Sequence, residues 1–186
     1  MAATTQVHVF HGGANGTLPA GAAWVDGARF HRADTDPTTD AATTFIPIPA
    51  SGEAFSWRKH FLLNITGGTY GSITNLRWFS DGVAMGTGVT MYTSRVTNPA
   101  GYTVASSADE TTKVNPTVVA ETTVAALDAT TYTSASPHVV NSGTVASANA
   151  VGYGAQGLLV QQVGVTSTAV GGTTTARTYN YRWTET

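Results

Sequence analysis

The chain has 186 residues, of which only 11% are charged, against roughly 25% in ordinary soluble proteins; Thr, Ser, Asn and Gly fill the gap. Nine Lys and Arg against eleven Asp and Glu give a net charge of −2, and the cations are scattered, so nucleic acid is not an expected partner. Cysteine is absent, which excludes disulfide stapling, thiolate nucleophiles and Cys-ligated zinc. No apolar run is long enough to span a membrane, and "MAATTQVHVFHGG" lacks the basic-then-apolar pattern of a secretory leader, so Asn15-Gly16-Thr17 and Asn64-Ile65-Thr66 are expected to stay unglycosylated. A surface this poor in Lys, Glu and Asp fits one partly covered by partners. It also fits a Thr-rich β-protein that is neutral throughout.

Apolar residues recur with period two, the strand signature. "VHVF", Val7 to Phe10, predicts a first strand. Residues 15–53 follow as an extended loop or arm, with proline at four positions and little alternation; segments of this length without structure are usually functional. Residues 55–98 hold the central strands. Trp57, Lys59, Phe61, Leu63 and Ile65 form an apolar face, and Arg58, His60, Leu62, Asn64 and Thr66 a mixed one. "TGGTYGS" has the glycine density of a turn. Ile73 to Ser80 resumes as a strand with Leu76 and Trp78 on one face and Arg77 and Phe79 towards the other. "SDG", Ser80 to Gly82, carries the Asp-Gly signal of a tight hairpin. "GVTMYTSRV" is the third run, and Asn98-Pro99 ends it in a turn.

Beyond it, Thr117 to Tyr132 reads as a strand, or as a short helix over Val119 to Leu127; its β-branched content favours strand. Val139 to Gly157 reads as a small, polar loop. "GLLVQQVGV" and the C-terminal segment 174–186 both read as strands. In the last, Arg177, Tyr179, Tyr181 and Trp183 share one side, and Thr178, Asn180 and Arg182 the other. Seven or eight such strands in one domain spanning residues 1–186 predict an all-β fold. The expected form is an antiparallel β-sandwich of jelly-roll or immunoglobulin-like type with a long irregular N-terminal loop.

Chemistry is harder to find than structure. His8, His11, His31, His60 and His138 show no zinc-ligand spacing. Asp34, Asp36 and Asp40 share a loop with oxygen ligands suited to a hard cation, but the glycine and closing glutamate of a calcium loop are missing; a turn with Asp side chains bonding backbone amides is the favoured reading. There is no G-x-S-x-G elbow, and "NITGGTYGS" lacks the G-K-[ST] ending of a phosphate loop. No enzyme, metal or cofactor is expected. Trp57, Phe61 and Phe79 are expected in the core, because each large ring buries roughly 150–250 Å². That leaves Arg58, His60, Tyr70 and Arg77, with Tyr179, Tyr181 and Trp183, as candidate interface residues.

The block "WRKHFLLNITGGTYGSITNLRWFSDGVAMGTGVTMYTSRV", with the closing "ARTYNYRWTET", resembles poorly characterised β-sandwich virion proteins of tailed bacteriophages. The shared features are a strand ending in "LNIT", a glycine turn, "I-x-N-L-R-x-[WF]" and a "G-x-G-V" strand, over about a third of the chain. The resemblance implies a virion component made in the host cytoplasm: a head decoration or cement protein touching the major capsid protein, or a neck or tail component. It also implies self-association, without membrane or nucleic acid. The competing expectation is a carbohydrate- or receptor-binding sandwich module, and a third is a hydrolase with convergent carboxylates.

Overall fold

In the computed structural model, residues 3–14, 22–23, 29–34, 45–95, 102, 104–111, 127–146, 157–172 and 174–186 are described. They form β1 (Ala3–Phe10), β2 (Ala22–Ala23), β3 (Glu53–Phe55), β4 (Lys59–Gly68), β5 (Ser72–Ser80), β6 (Val89–Arg95), β7 (Leu127–Asp128), β8 (His138–Asn141), β9 (Val145–Ala146), β10 (Leu159–Thr166) and β11 (Tyr179–Glu185). Two short 3-10 turns, Ser107–Glu110 and Ala129–Thr131, complete the set. Every strand pair among the described residues is antiparallel.

A larger sheet runs β2-β1-β4-β10-β6-β7, with β3 also on β10, and a smaller one runs β11-β5-β8, with β9 also on β5. Phe61 pairs with Val9 and Leu159, and Leu63 with Val7, so these side chains share one face. They join Ile73, Leu76, Trp78, Val140 and Val145 of the smaller sheet in one buried cluster. Arg95, on that same face of the larger sheet, spans the gap and donates from Nη1 to the Val139 carbonyl at 3.0 Å. The fold is thus the all-β antiparallel sandwich that the alternation predicts.

Connectivity corrects the hairpin expected at Ser80-Asp81-Gly82. This turn after β5, like the expected Gly turn after β4, carries the chain from one sheet to the other. Asp81 closes the second crossing locally, accepting from the Val83 amide at 2.9 Å, and ties it to the start of the last strand by accepting from the Thr178 amide at 3.2 Å. An Asp-Gly pair favours a tight turn, but the turn alone does not choose which sheet receives the next strand. Residues 139–141 and 145–146 are strand, where a loop is expected from composition, because Val140 and Val145 are 2% and 7% exposed and need a core-facing position. β1 is longer than its apolar end suggests, since Thr4, Thr5 and Gln6 gain backbone pairing along β4. The Asn98-Pro99 turn, Val119, Asp36 and Asp40 lie outside the described residues, so the candidate cation loop is not described as a whole.

One irregularity sets the faces of the smaller sheet. Strict alternation would put Ile73 on the face of Arg77, yet Ile73 is 1% exposed and packs with Leu76 and Trp78. The register shifts between Arg182 and Thr184 on β11, opposite Asn75 and Leu76, and Asn75 takes φ 56°. This extra residue is a β-bulge, and Asn tolerates the left-handed conformation that other side chains resist. Asn75→Val is expected to cost about 1–2 kcal/mol in urea denaturation, while Asn75→Gly stays close to wild type. Equal stability of the two variants would show that the bulge is unstrained.

Candidate functional site

The two outer faces of the sandwich differ. On the larger sheet the row Phe10, His60, Val160 and Ser94 lies opposite the inter-sheet core, yet these residues are 6%, 1%, 0% and 0% exposed. The chain covers this face itself. The Tyr102 ring sits 4.8 Å from that of His60, and its hydroxyl donates to the Gly12 carbonyl at 2.8 Å. Beside it, Gln162 Nε2 donates to the Ser56 and Asp109 carbonyls at 2.9 and 3.0 Å. The Ser107–Glu110 turn is anchored by an ion pair: Arg58 Nε and Nη2 donate to Asp109 Oδ1 at 2.9 and 2.5 Å. Asp109 also accepts from the Arg58 and Ser106 amides. Next to it Glu110 accepts from Trp57 Nε1 at 3.0 Å and pairs with Arg32. Those two donors hold the Glu110 carboxyl below its usual range, the Arg32 hydrogen bond most strongly.

Covering has electrostatic consequences for histidine. Burial, with Arg58 nearby, lowers His60 from 6.5 to about 3. On the core side of the smaller sheet, burial and then Arg95 lower His138 from 6.5 to about 4; its ring lies 4.5 Å from that of Tyr132. The Nε2 atoms of both are buried without a hydrogen-bond partner among the described residues. Both rings are therefore neutral near pH 7 and unsuited to proton exchange with solvent.

The outer face of the smaller sheet is the more open of the two among the described residues. Arg77 on central β5 is flanked by Arg182 on β11 and Val139 on β8, so the three form a row across the sheet. Phe79 and Asn180 make the next pair on that face. Arg182 is exposed and Val139 is 38% exposed, whereas Arg77 and Phe79 are half-buried. The Arg182 guanidinium stands 5.8 Å over the Phe79 ring and donates from Nη1 to the Ser134 carbonyl at 3.2 Å. Arg77 Nη1 reaches its neighbouring Leu76 carbonyl at 3.3 Å.

Most of the expected interface residues are elsewhere. His60 and Tyr70, at 1% and 7% exposed, are buried by their own chain, and Arg58, with a side chain 9% exposed, is spent on Asp109. These three are corrected from the expected contact surface to the interior. Tyr179, Tyr181 and Trp183 pack against the core, with Tyr179 stacked on Trp78 at 5.1 Å between centroids. Burial pushes the Tyr179 hydroxyl up to about 12 and raises that of Tyr181 further. Arg77 alone of the seven lies on the open face. Phe79 and Trp57 are corrected in the other direction: Phe79 is on the open face, and Trp57, half-buried, serves Glu110 by its indole N–H. Phe61 is in the core as expected, at 3% exposed.

Asp109, Glu110, Tyr102 and Arg182 escape a reading by strands. A signal for the first did exist: Ser106-Ser107-Ala108-Asp109 has the [ST]-x-x-[DE] form of a capped turn. Arg182 was placed on the polar side of β11 by alternation, but its neighbour Arg77 across the strands requires the register. Among the described residues there is no group of three or more His, Cys, Asp or Glu placed to hold a metal and no helix long and apolar enough to cross a membrane. Comparison with family models, curated proteins and solved structures returned no match.

Proposed function

We propose that the chain is a structural protein of a tailed-phage particle, a decoration or cement protein that stabilises the head by contacts with shell subunits and with copies of itself. The observation that carries this reading is the asymmetry of the two outer faces. One is closed by the chain's own Tyr102 and Asp109, while the other presents Arg77, Phe79, Val139 and Arg182. A sheet face with cations and apolar groups together suits docking against a protein surface. The low charge of the chain supports the same role, since neutral Thr-rich surface is covered at little desolvation cost. The resemblance of the β4–β6 block and of β11 to virion proteins points the same way. A partner that binds only the folded, assembled shell adds its binding free energy to shell stability, and many copies make modest contacts sufficient.

A glycan-binding module is less well supported. Tyr179, Tyr181 and Trp183, the candidate stacking rings, pack against the core, and among the described residues the large exposed apolar ones are Phe45, Ile48, Val83, Val139 and Val170, with a single aromatic. The decisive experiment is imaging of purified particles that carry the chain. Many copies spread over the shell are expected. A few copies at a vertex or along the tail would move the protein to the neck or tail, and no copies would end the virion reading.

A further inference from the structure

Charges in this chain are few, at 11% of residues. Arg32 and Arg58, on the closed side, each hold a carboxylate. Each described Asp and Glu already accepts at least one hydrogen bond from its own chain. Arg77, Arg95, Arg177 and Arg182 donate only to backbone carbonyls, and of these Arg77 and Arg182 are cross-strand partners on the open face, where like charges repel. Their hydrogen bonds to protein are to backbone carbonyls, one nitrogen each, and no described carboxylate pairs with either.

We propose that this Arg77–Arg182 pair is a docking site for a carboxylate-bearing segment of a partner protein, an Asp- or Glu-containing strand or loop laid across the smaller sheet. Two arginines at facing register positions offer forked donors matched to carboxylate oxygens, and an anion held by both would turn repulsion into attraction. Arg182 is pre-positioned for this by the Phe79 ring beneath it and by the Ser134 carbonyl. Phe79 and Val139 beside the pair offer apolar contact to the segment's other side chains. A polyanionic nucleic acid fits poorly, because the site is two cations wide on a chain of net charge −2. The inference deepens the contact role proposed above and rests on that reading for its biological setting, but its chemistry is tested on the isolated chain.

The test uses fluorescence anisotropy with a fluorescein-labelled peptide alternating Glu and Val, at low ionic strength. Binding is expected to weaken about threefold in Arg77→Gln or Arg182→Gln and about tenfold in the double variant, and to be lost to the matching Gln-Val peptide. The free double variant is expected to melt about 1–3 °C above wild type, because a repulsive pair has gone, which separates lost binding from lost folding. Saturating Glu-Val peptide should raise the melting temperature of wild type and not of the double variant. Unchanged peptide affinity in the double variant overturns the proposal. So does tighter Arg-dependent binding of a single-stranded oligonucleotide or inorganic phosphate, or self-association in sedimentation that Arg182→Gln abolishes. Particles that carry the chain while it ignores the peptide would sink this inference alone; peptide binding with no copies on particles would sink only the virion reading.

Discussion

Acidification from about pH 7.5 to about pH 4.5 is expected to remove roughly 5 kcal/mol of folding stability, through two buried histidines. His60 and His138 have folded values of about 3 and about 4 against 6.5 in the unfolded chain. Between these limits the unfolded chain takes up protons that the folded chain refuses. Stability is therefore fully present above about pH 6.5 and is lost as pH falls towards the folded values. The groups facing the rings do not offset the effect. Arg58 beside His60 and Arg95 beside His138 disfavour a second cation, and Tyr102 and Tyr132 supply ring contacts only. Glu110, whose folded value is also lowered, stabilises above the usual carboxylate range and loses that contribution on further acidification, so it adds to the loss. Set against a typical total of about 5–15 kcal/mol, the loss is about a third of the stability or more. Urea midpoints across this pH range measure it, and a flat profile would refute it. His60→Phe with His138→Phe keeps both ring contacts and should remove most of the slope.

Breaking the Arg58–Asp109 pair is the second large effect. Asp109 is 1% exposed and Arg58 has a side chain 9% exposed. Asp109→Ala strands a guanidinium with little access to water and removes the acceptor of the Ser106 and Arg58 amides, at an expected cost of about 3–5 kcal/mol. Because this turn holds Gln162 and Arg58, the next residues on the face of His60, the variant should also open that face to water and raise the titration point of His60 towards the ordinary value. Histidine proton shifts in NMR report that directly. Arg58→Met with Asp109→Leu should be less destabilised than Asp109→Ala alone, since neither charge is then buried unpaired. A cost below about 1 kcal/mol for Asp109→Ala would show that the turn does not anchor the cover.

Sequence periodicity reached the strands because burial on at least one face leaves a period-two trace. It identified the apolar face of β4 and both sides of β11. It reached less of the site, for a physical reason visible at His60. A mixed polar and apolar face looks the same in sequence whether water or the chain's own Tyr102 lies against it. Phe79 shows the converse: its size argues for the core, but strand register puts it beneath Arg182 on the open side. Asn75 gives no alternation signal at all, yet its bulge decides which residues of β5 face inward.

By itself the sequence determined the all-β class, the lack of cysteine chemistry, the low charge and the positions of most long strands, because these follow from residue types and local period. Tertiary structure decided which sheet each strand joins, since turns steer the chain only locally and the sheets are assembled from residues far apart in sequence. It also decided the fate of the charges. Arg58 and Arg77 read alike as cations on mixed strand faces; one is neutralised by Asp109, 51 residues away, and the other is set opposite Arg182, paired with no described carboxylate. That difference in partners is invisible to any local pattern, because it is made between residues far apart in sequence.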